Sequence, residues 1–398
     1  MASNGNRLAL YVLMFNMFIA MSGIGLIIPI MPDYLETFGV AGQALGFLIA
    51  MFAFSQFLFS PLSGDLSDKY GRKYLIIIGL VVFGLSQLVF GLATELWVLY
   101  AARFVSGLGS AFLVPPMMAF VADITTDEER GKGMGLLGAA MSLGFMIGPA
   151  IGGFLAEVSL RFPFYVATAV SILSAILSLF ILPNIKPMAV SKDLGKKREN
   201  LWQQIRRSTK TSYFVLLIVV FVFSFGLANF QATISLYVDK KYGFSPGQIA
   251  MLITIGGFVG VIVQTFVVDR LFRRFGEKIV ILVNLLVSAF AMIAVLFVDG
   301  FWPILIVSSV FFTAASLLRP AVNTLISKFA GAEQGFAAGM NNAYMSLGNM
   351  VGPALAGVLF DINMSSPYIV GAVILIGCYF IAMRTSDHTP LKETAEVQ

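Results

Sequence analysis

Two arginines fall inside long apolar runs of this chain, Arg103 in Leu99-Tyr-Ala-Ala-Arg103-Phe-Val-Ser-Gly107-Leu-Gly109 and Arg319 in Ala314-Ala-Ser316-Leu-Leu-Arg319-Pro320. A guanidinium in such surroundings can grip a carboxylate with two parallel hydrogen bonds. It can also take part in a proton relay, or cap backbone carbonyls where a helix is broken. An arginine inside a membrane span costs roughly 2.5–3.5 kcal/mol on insertion scales, so neither is expected to face lipid. For Arg103 the readings are a proton relay or structural pivot in a cavity, or snorkelling to a nearby interface. For Arg319 they are binding of an acidic group, or capping of carbonyls freed at Pro320. None of the 21 Asp and Glu residues lies deep in an apolar run to neutralise either cation.

Other chemistries are excluded. The single histidine, His388, stands in a polar tail, and the single cysteine, Cys378, lies in an apolar run. They form no metal site, no disulfide and no nucleophile–base pair, so an enzyme is not expected. No GxxxxGK[ST] loop is present, which leaves no phosphate cradle for ATP. No cofactor is expected.

The elements that position the arginines are read from composition. Hydrophobic residues make up 58% of the 398 residues and charged residues 12%. Soluble chains run nearer about 25% charged. A bilayer-crossing helix needs about 20 mostly apolar residues. Apolar runs fall at 8–32, 43–63, 74–93, 96–121, 134–156, 163–183, 213–236, 248–268, 279–298, 302–326, 336–360 and 367–383. The first run leads straight into more structure, so it reads as a span and not as a cleavable signal. Several runs are interrupted by Gly or Pro, the first at Gly23, Gly25 and Pro29. With the N-terminus inside, the inner loops and tails hold 21 Lys and Arg and the outer loops three, Arg161, Lys240 and Lys241. That asymmetry predicts both termini in the cytoplasm. The net charge of +5 then needs no nucleic-acid partner. The basic stretch 186–210 reads as a solvated linker or as a segment touching anionic headgroups.

The chain repeats itself. Ser142–Leu155 matches Ser346–Leu359 at nine of fourteen positions, an offset of 204. At that offset Gly131 meets Gly335, Pro116 meets Pro320 and Pro163 meets Pro367. The loop Asp68–Lys73 meets Arg273–Lys278 at offset 205. Residues 184–212 form the polar linker between a bundle at 1–183 and a second at 213–398. Six spans per half is an even number, so the halves run parallel, one of the architectures of secondary transporters. The expected fold is an all-α membrane protein of twelve helices in two six-helix pseudo-repeats. It is expected to act as a monomer.

Three motifs carry a family resemblance. Gly64-Asp65-Leu-Ser-Asp68-Lys-Tyr-Gly71-Arg72-Lys73, between spans two and three, resembles the signature loop of the major facilitator superfamily. Gly64 is expected to let the helix end sit close to its neighbours. Asp65 suits the positive N-terminus of another helix, which the family implies is span eleven. Arg72 is expected to pair with Asp123, and Lys73 belongs to the same basic loop. Together these would hold the outward-facing state shut at the inner side. The run around Arg103 matches a second family pattern. Gly138 to Gly153, with Gly148-Pro149, matches the span-five motif of antiporting exporters. There glycines four apart make a smooth packing face and the proline a pliable point. With Gly23–Pro29, Gly144–Glu157, Ser224–Leu227, Arg319-Pro320 and Gly335–Asn341, the chain resembles the twelve-span drug–proton antiporters, multidrug exporters of Gram-positive bacteria among them. The resemblance implies a bacterial cell membrane, small-molecule drugs and dyes as cargo (fluoroquinolones included), and a proton gradient as energy source.

The chain departs from that pattern where the family implies proton-carrying acids. A glutamate on span seven is replaced by Gln231 and an aspartate on span ten by Ser316. Neither titrates. Asp33, Glu36, Asp123 and Glu157 remain as candidate proton sites. Asp33 follows Pro29-Ile-Met-Pro32, where partial burial would raise its pKa, or it is a solvated end-cap carboxylate. Transport without protons is the other possibility. With no deep carboxylate beside Arg319, zwitterions are expected to be carried better than quaternary dyes. The expected cavity lining is Gln56, Met141, Phe145, Phe230, Gln231, Ser316, Arg319, Asn341, Tyr344 and Asn349. The rival readings are an exporter of one metabolite or lipid, a nutrient importer, which the span-five motif opposes, and a receptor.

Overall fold

A computed structural model describes residues 4–184, 201–331 and 333–384. His388, most of the 184–212 linker and the C-terminal tail lie outside them. Among the described residues every regular element is a helix. In order these are α1 (Asn4–Gly25), α2 (Met31–Glu36), α3 (Gly42–Tyr70), α4 (Arg72–Leu92), α5 (Leu96–Ala111), α6 (Val114–Ile124), α7 (Asp127–Ala156) and α8 (Phe162–Ile181). There follow α9 (Leu201–Ser208), α10 (Phe214–Tyr242), α11 (Pro246–Ala294), α12 (Phe301–Ala330), α13 (Gln334–Ile362) and α14 (Ser366–Met383).

Eleven stretches are long and apolar enough to cross a membrane, with α5 and α6 counted together as Leu96–Ile124. One of them, α11, is 49 residues long and breaks at Gly276, where φ is 76°, so it supplies two of twelve crossings. Gly71, its counterpart at offset 205, has φ 99° and separates α3 from α4. Left-handed backbone suits glycine because no Cβ is there to clash. The repeat read from sequence is therefore also a repeat in backbone conformation. Helices are the natural solution for such runs, because lipid offers no partner to an unpaired backbone N–H or C=O.

Two edges differ from the apolar runs. The first run continues to residue 32, but α1 stops at Gly25 and the short α2 begins with Pro32 in its first turn. Span four is interrupted at Phe112 and Leu113, ahead of Pro115 and Pro116. Pro61, Pro149, Pro320 and Pro353 are accommodated inside their helices.

The chain forms two compact units. The first is Met1–Leu194 with Gln231–Thr254 and Pro353–Met364; the second is Gly195–Phe230, Ile255–Gly352 and Ser365–Gln398. The first thus takes in, with the N-terminal bundle, the ends of α10, α11 and α13 that lie at the α2 end. Its core includes Leu13, Met17, Leu80, Phe83, Met117 and Phe120. There α1 packs on α7, α4 on α8, and α3 on α5. In the second unit α13 packs on α10. A Cβ at Gly348 would stand 2.8 Å from Phe225 N, and one at Gly352 2.6 Å from Phe225 O. The equivalent glycines of α7 meet α1 in the same way: a Cβ at Gly144 would stand 2.6 Å from Phe18 O, and one at Gly148 2.7 Å from Ser22 O. The span-five glycines thus do form a packing face.

Candidate functional site

The second unit holds a narrow pocket lined by Val220, Phe223 and Ser224 of α10, Arg319, Val322 and Asn323 of α12, and Asn341 and Met345 of α13. Helix periodicity puts each set on one face: 319, 322 and 323 are three and four apart, as are 341 and 345. Arg319 is exposed and has no ion-pair or hydrogen-bond partner among the described residues. Ser224 Oγ and Asn341 Oδ1 are buried without a partner. A buried polar atom left unpaired costs about 1–3 kcal/mol, so a ligand that reaches these atoms once the pocket widens gains on that account. Arg319 offers donors for a carboxylate. Asn341 Oδ1 offers an acceptor for an N–H, and Ser224 Oγ can serve as either. The pocket is far smaller than a drug-sized site of about 300–1,000 Å³, so a drug-sized ligand requires it to widen.

The other expected lining residues divide. Gln56 donates from Nε2 to Ser110 Oγ at 2.9 Å, joining α3 to α5. Met141 packs on the core of the first unit, while Phe145 is 46% exposed. Gln231 and Asn349 are partly buried. Three expectations change. Phe230 is fully buried; its ring stacks on Phe311 at 4.0 Å and meets Phe312 and Tyr368 edge-on, so it presents no surface to a ligand. Ser316 Oγ donates to Gly260 O at 2.9 Å and Thr313 O at 2.8 Å, a clamp between α12 and α11. Tyr344 OH lies 3.0 Å from Ser208 Oγ of the linker helix α9. The Arg207 guanidinium on α9 pairs with Glu333 at 2.6 Å and covers the Phe336 ring.

Arg103 is 6% exposed. Its guanidinium lies 5.1 Å from the Phe90 ring centroid, and its Nε has no hydrogen-bond partner. It is held inside the first unit and does not snorkel. Asp33 on α2 is partly buried, and its carboxyl is raised above the ordinary range, first by that burial and second by the nearby Glu36 charge.

In the signature loop, Arg72 is 7% exposed. It donates from Nε to Asp123 Oδ2 at 3.1 Å and from Nη1 to Ser67 Oγ at 3.0 Å, and it also pairs with Asp68. Lys73 follows in the first turn of α4. The Arg72–Asp123 expectation matches this geometry. The expectation for Gly64 does not, because a Cβ there would meet nothing within 4 Å among the described residues. The Asp65 side chain lies outside the described residues. At Pro149 the Cδ would stand 3.0 Å from a Cβ on Gly25, so Gly148-Pro149 sits tightly against α1. Residues that the spacing did not single out are Asp361 and Asp239. The signal for Asp361 was there: two positions beyond the matched repeat, the same offset of 204 pairs Glu157 with Asp361.

Long apolar helices in two repeats, with an arginine and two asparagines at a pocket between three of them, are the architecture of a membrane transporter. The family model of the Major Facilitator Superfamily matches residues 13–297 and 216–398, and the chain belongs to that superfamily. It is 41% identical to Multidrug resistance protein 2 of Bacillus subtilis (strain 168), with 94% of each chain covered. It is 37% identical to Quinolone resistance protein NorA of Staphylococcus aureus, over 96% of this chain and 98% of that one. Among solved structures, the nucleoside transporter NupG has a TM-score of 0.80 at 14% identity, covering 96% of this chain and 99% of that one. A bacterial homolog of the lysosomal transporter Spinster, in an inward-facing and occupied conformation, has a TM-score of 0.78 at 16% identity, covering 97% and 98%. These two share the fold.

Proposed function

We propose that this transporter is a multidrug exporter that moves amphipathic aromatic compounds, zwitterionic fluoroquinolones among them, out of a bacterial cell by alternating access. In this reading the termini and the basic loops face the cytoplasm and the α2 end faces outward. Kinship to proteins named for multidrug and quinolone resistance supports the cargo class. The observation that carries the finer reading is Arg319, a cation without a partner among the described residues, beside two polar atoms likewise unsatisfied among them, Ser224 Oγ and Asn341 Oδ1. A substrate carboxylate on the guanidinium and a substrate N–H on Asn341 complete that set, and Phe223, Val220 and Met345 accept the apolar body. A bare cation meets like charge in the same place.

Protons entering from outside are the proposed counter-substrate, and no cofactor takes part. Gln231 and Ser316 cannot carry a proton, so coupling runs through a carboxylate elsewhere, Asp33 and Asp123 first, with Glu36 and Glu157 after them. The test is uptake of a fluoroquinolone and of ethidium into proteoliposomes with and without an imposed pH gradient, repeated for Gln231→Glu. Gradient-driven uptake by the unaltered chain supports coupling through those other carboxylates. Gradient-independent uptake that becomes gradient-driven in Gln231→Glu means that the chain is an uncoupled exporter, the second reading, which the loss of both acids favours.

A further inference from the structure

At the α2 end the last turn of α13 closes on the first turn of α3. Asp361 accepts from both of the first two amides of α3: Gly42 N–H donates to Oδ1 at 2.9 Å and Gln43 N–H to Oδ2 at 2.8 Å. The residue before them, Ala41, offers no side-chain cap. The first amides of a helix have no intrahelical acceptor, and Asp361 supplies one from another helix, with its charge at the positive helix end. Below it the backbones are in close contact. A Cβ at Gly42 would stand 2.9 Å from Gly357 O, and one at Gly46 would stand 3.1 Å from Gly357 Cα.

The repeat offset of 204 carries Asp361 to Glu157, Gly357 to Gly153, Gly42 to Pro246, Gln43 to Gly247 and Gly46 to Ala250. The structure pairs this second set as well. A Cβ at Gly153 would stand 2.8 Å from Pro246 O, and one at Gly247 would stand 3.5 Å from Glu157 Oε1. The two contacts are unequal. The start of α11 already caps itself: Ser245 N–H donates to Gln248 Oε1 at 3.0 Å, and Gln248 N–H donates to Ser245 Oγ at 3.4 Å. Such a reciprocal cap leaves Glu157 only a charge contribution, whereas the start of α3 depends on Asp361.

We propose that Asp361, seconded by Glu157, is the latch of the α2 end: two carboxylates on pseudo-equivalent helix ends that hold it shut by capping the starts of α3 and α11. The role of the latch in transport rests on the alternating-access reading above; its existence does not. Transport then requires Asp361 to leave the amides of Gly42 and Gln43 each time this end opens.

The test is hydrogen–deuterium exchange on the full chain in lipid nanodiscs, comparing the unaltered protein with Asp361→Ala, Asp361→Asn and Glu157→Gln. Asp361→Ala is expected to speed exchange of the Gly42 and Gln43 amides about two- to fivefold, the scale of a charge at a helix N-terminus. Asp361→Asn, which keeps an acceptor but not the charge, should fall between, and Glu157→Gln should act more weakly, over 247–250. Under alternating access, segment 67–73 at the opposite end becomes more protected in Asp361→Ala. Faster exchange at 42–43 with no change at 67–73 keeps the latch and contradicts alternation. Unchanged exchange at 42–43, or equal acceleration at both ends, overturns the latch.

Discussion

Arg72 and Asp123 join the start of α4 to the end of α6, with Arg72 Nε donating to Asp123 Oδ2 at 3.1 Å. Arg72 is nearly buried, so its charge is tolerated only because Asp123, Ser67 and Asp68 share it. Removing the cation leaves Asp123 with a side chain only 13% exposed and no counter-charge. Arg72→Ala is expected to cost roughly 1–3 kcal/mol of stability, read as the unfolding midpoint of the purified protein. Asp68→Ala should cost under about 1 kcal/mol, because Asp68 is solvated.

The span-five glycines make a paired prediction. A Cβ at Gly148 would collide with Ser22 O on α1, whereas one at Gly138 would meet nothing within 4 Å among the described residues. Gly138→Ala is therefore expected to be neutral or to stabilise by up to about 1 kcal/mol through helix propensity. Gly148→Ala must push α1 and α7 apart and should lower both the melting temperature and transport. Equal tolerance of the two would contradict the packing described for α7.

Asp33 gives a pH-dependent prediction. Its carboxyl is raised by burial first and by Glu36 second. Ionising an acid with a raised folded-state pKa costs folded stability, so stability falls as pH rises through that pKa. Asp33→Asn removes the cost. It is expected to stabilise the protein at neutral pH and to make little difference near about pH 4, where the unfolded-state carboxyl also begins to bind its proton. Melting curves at the two pH values check the sign. If Asp33 is also a coupling site, the same variant loses gradient-driven transport and keeps downhill exchange.

How far the sequence reached depended on the kind of signal. The crossings, the repeat and the loop ion pair were legible. Apolar runs of span length have few alternatives, and Gly71 and Gly276 mark the same break in both halves. The direction in which a side chain points was much less legible. In a membrane helix the lipid face and the packed face are both apolar, so the helical period that separates core from surface in soluble proteins is faint. That is why Phe230, assigned to a cavity wall, turned out to be the centre of an aromatic cluster. Polar residues are the more informative, because lipid offers them no partner, and Arg319 and Asn341 do line one pocket. They still failed where that partner was local: Ser316 bonds to backbone, and Tyr344 to a linker helix whose position no motif predicted. A carboxylate at a span end, such as Asp361, reads as an ordinary solvated residue until the helix it caps is in view.

In the proposed function Arg319 selects cargo by its carboxylate. The most direct measurement compares proteoliposome uptake of a zwitterionic fluoroquinolone, its carboxyl ester and ethidium by the unaltered protein, Arg319→Lys and Arg319→Gln. The zwitterion is expected to be carried better than the ester or ethidium. Arg319→Gln is expected to weaken zwitterion uptake about 10- to 100-fold, the scale of a charge-assisted hydrogen bond, and to erase the preference, while Arg319→Lys retains part of it because charge remains without the bidentate fork. Ethidium carried as well as the zwitterion by the unaltered protein, or a preference unchanged in Arg319→Gln, would rule out selection by Arg319.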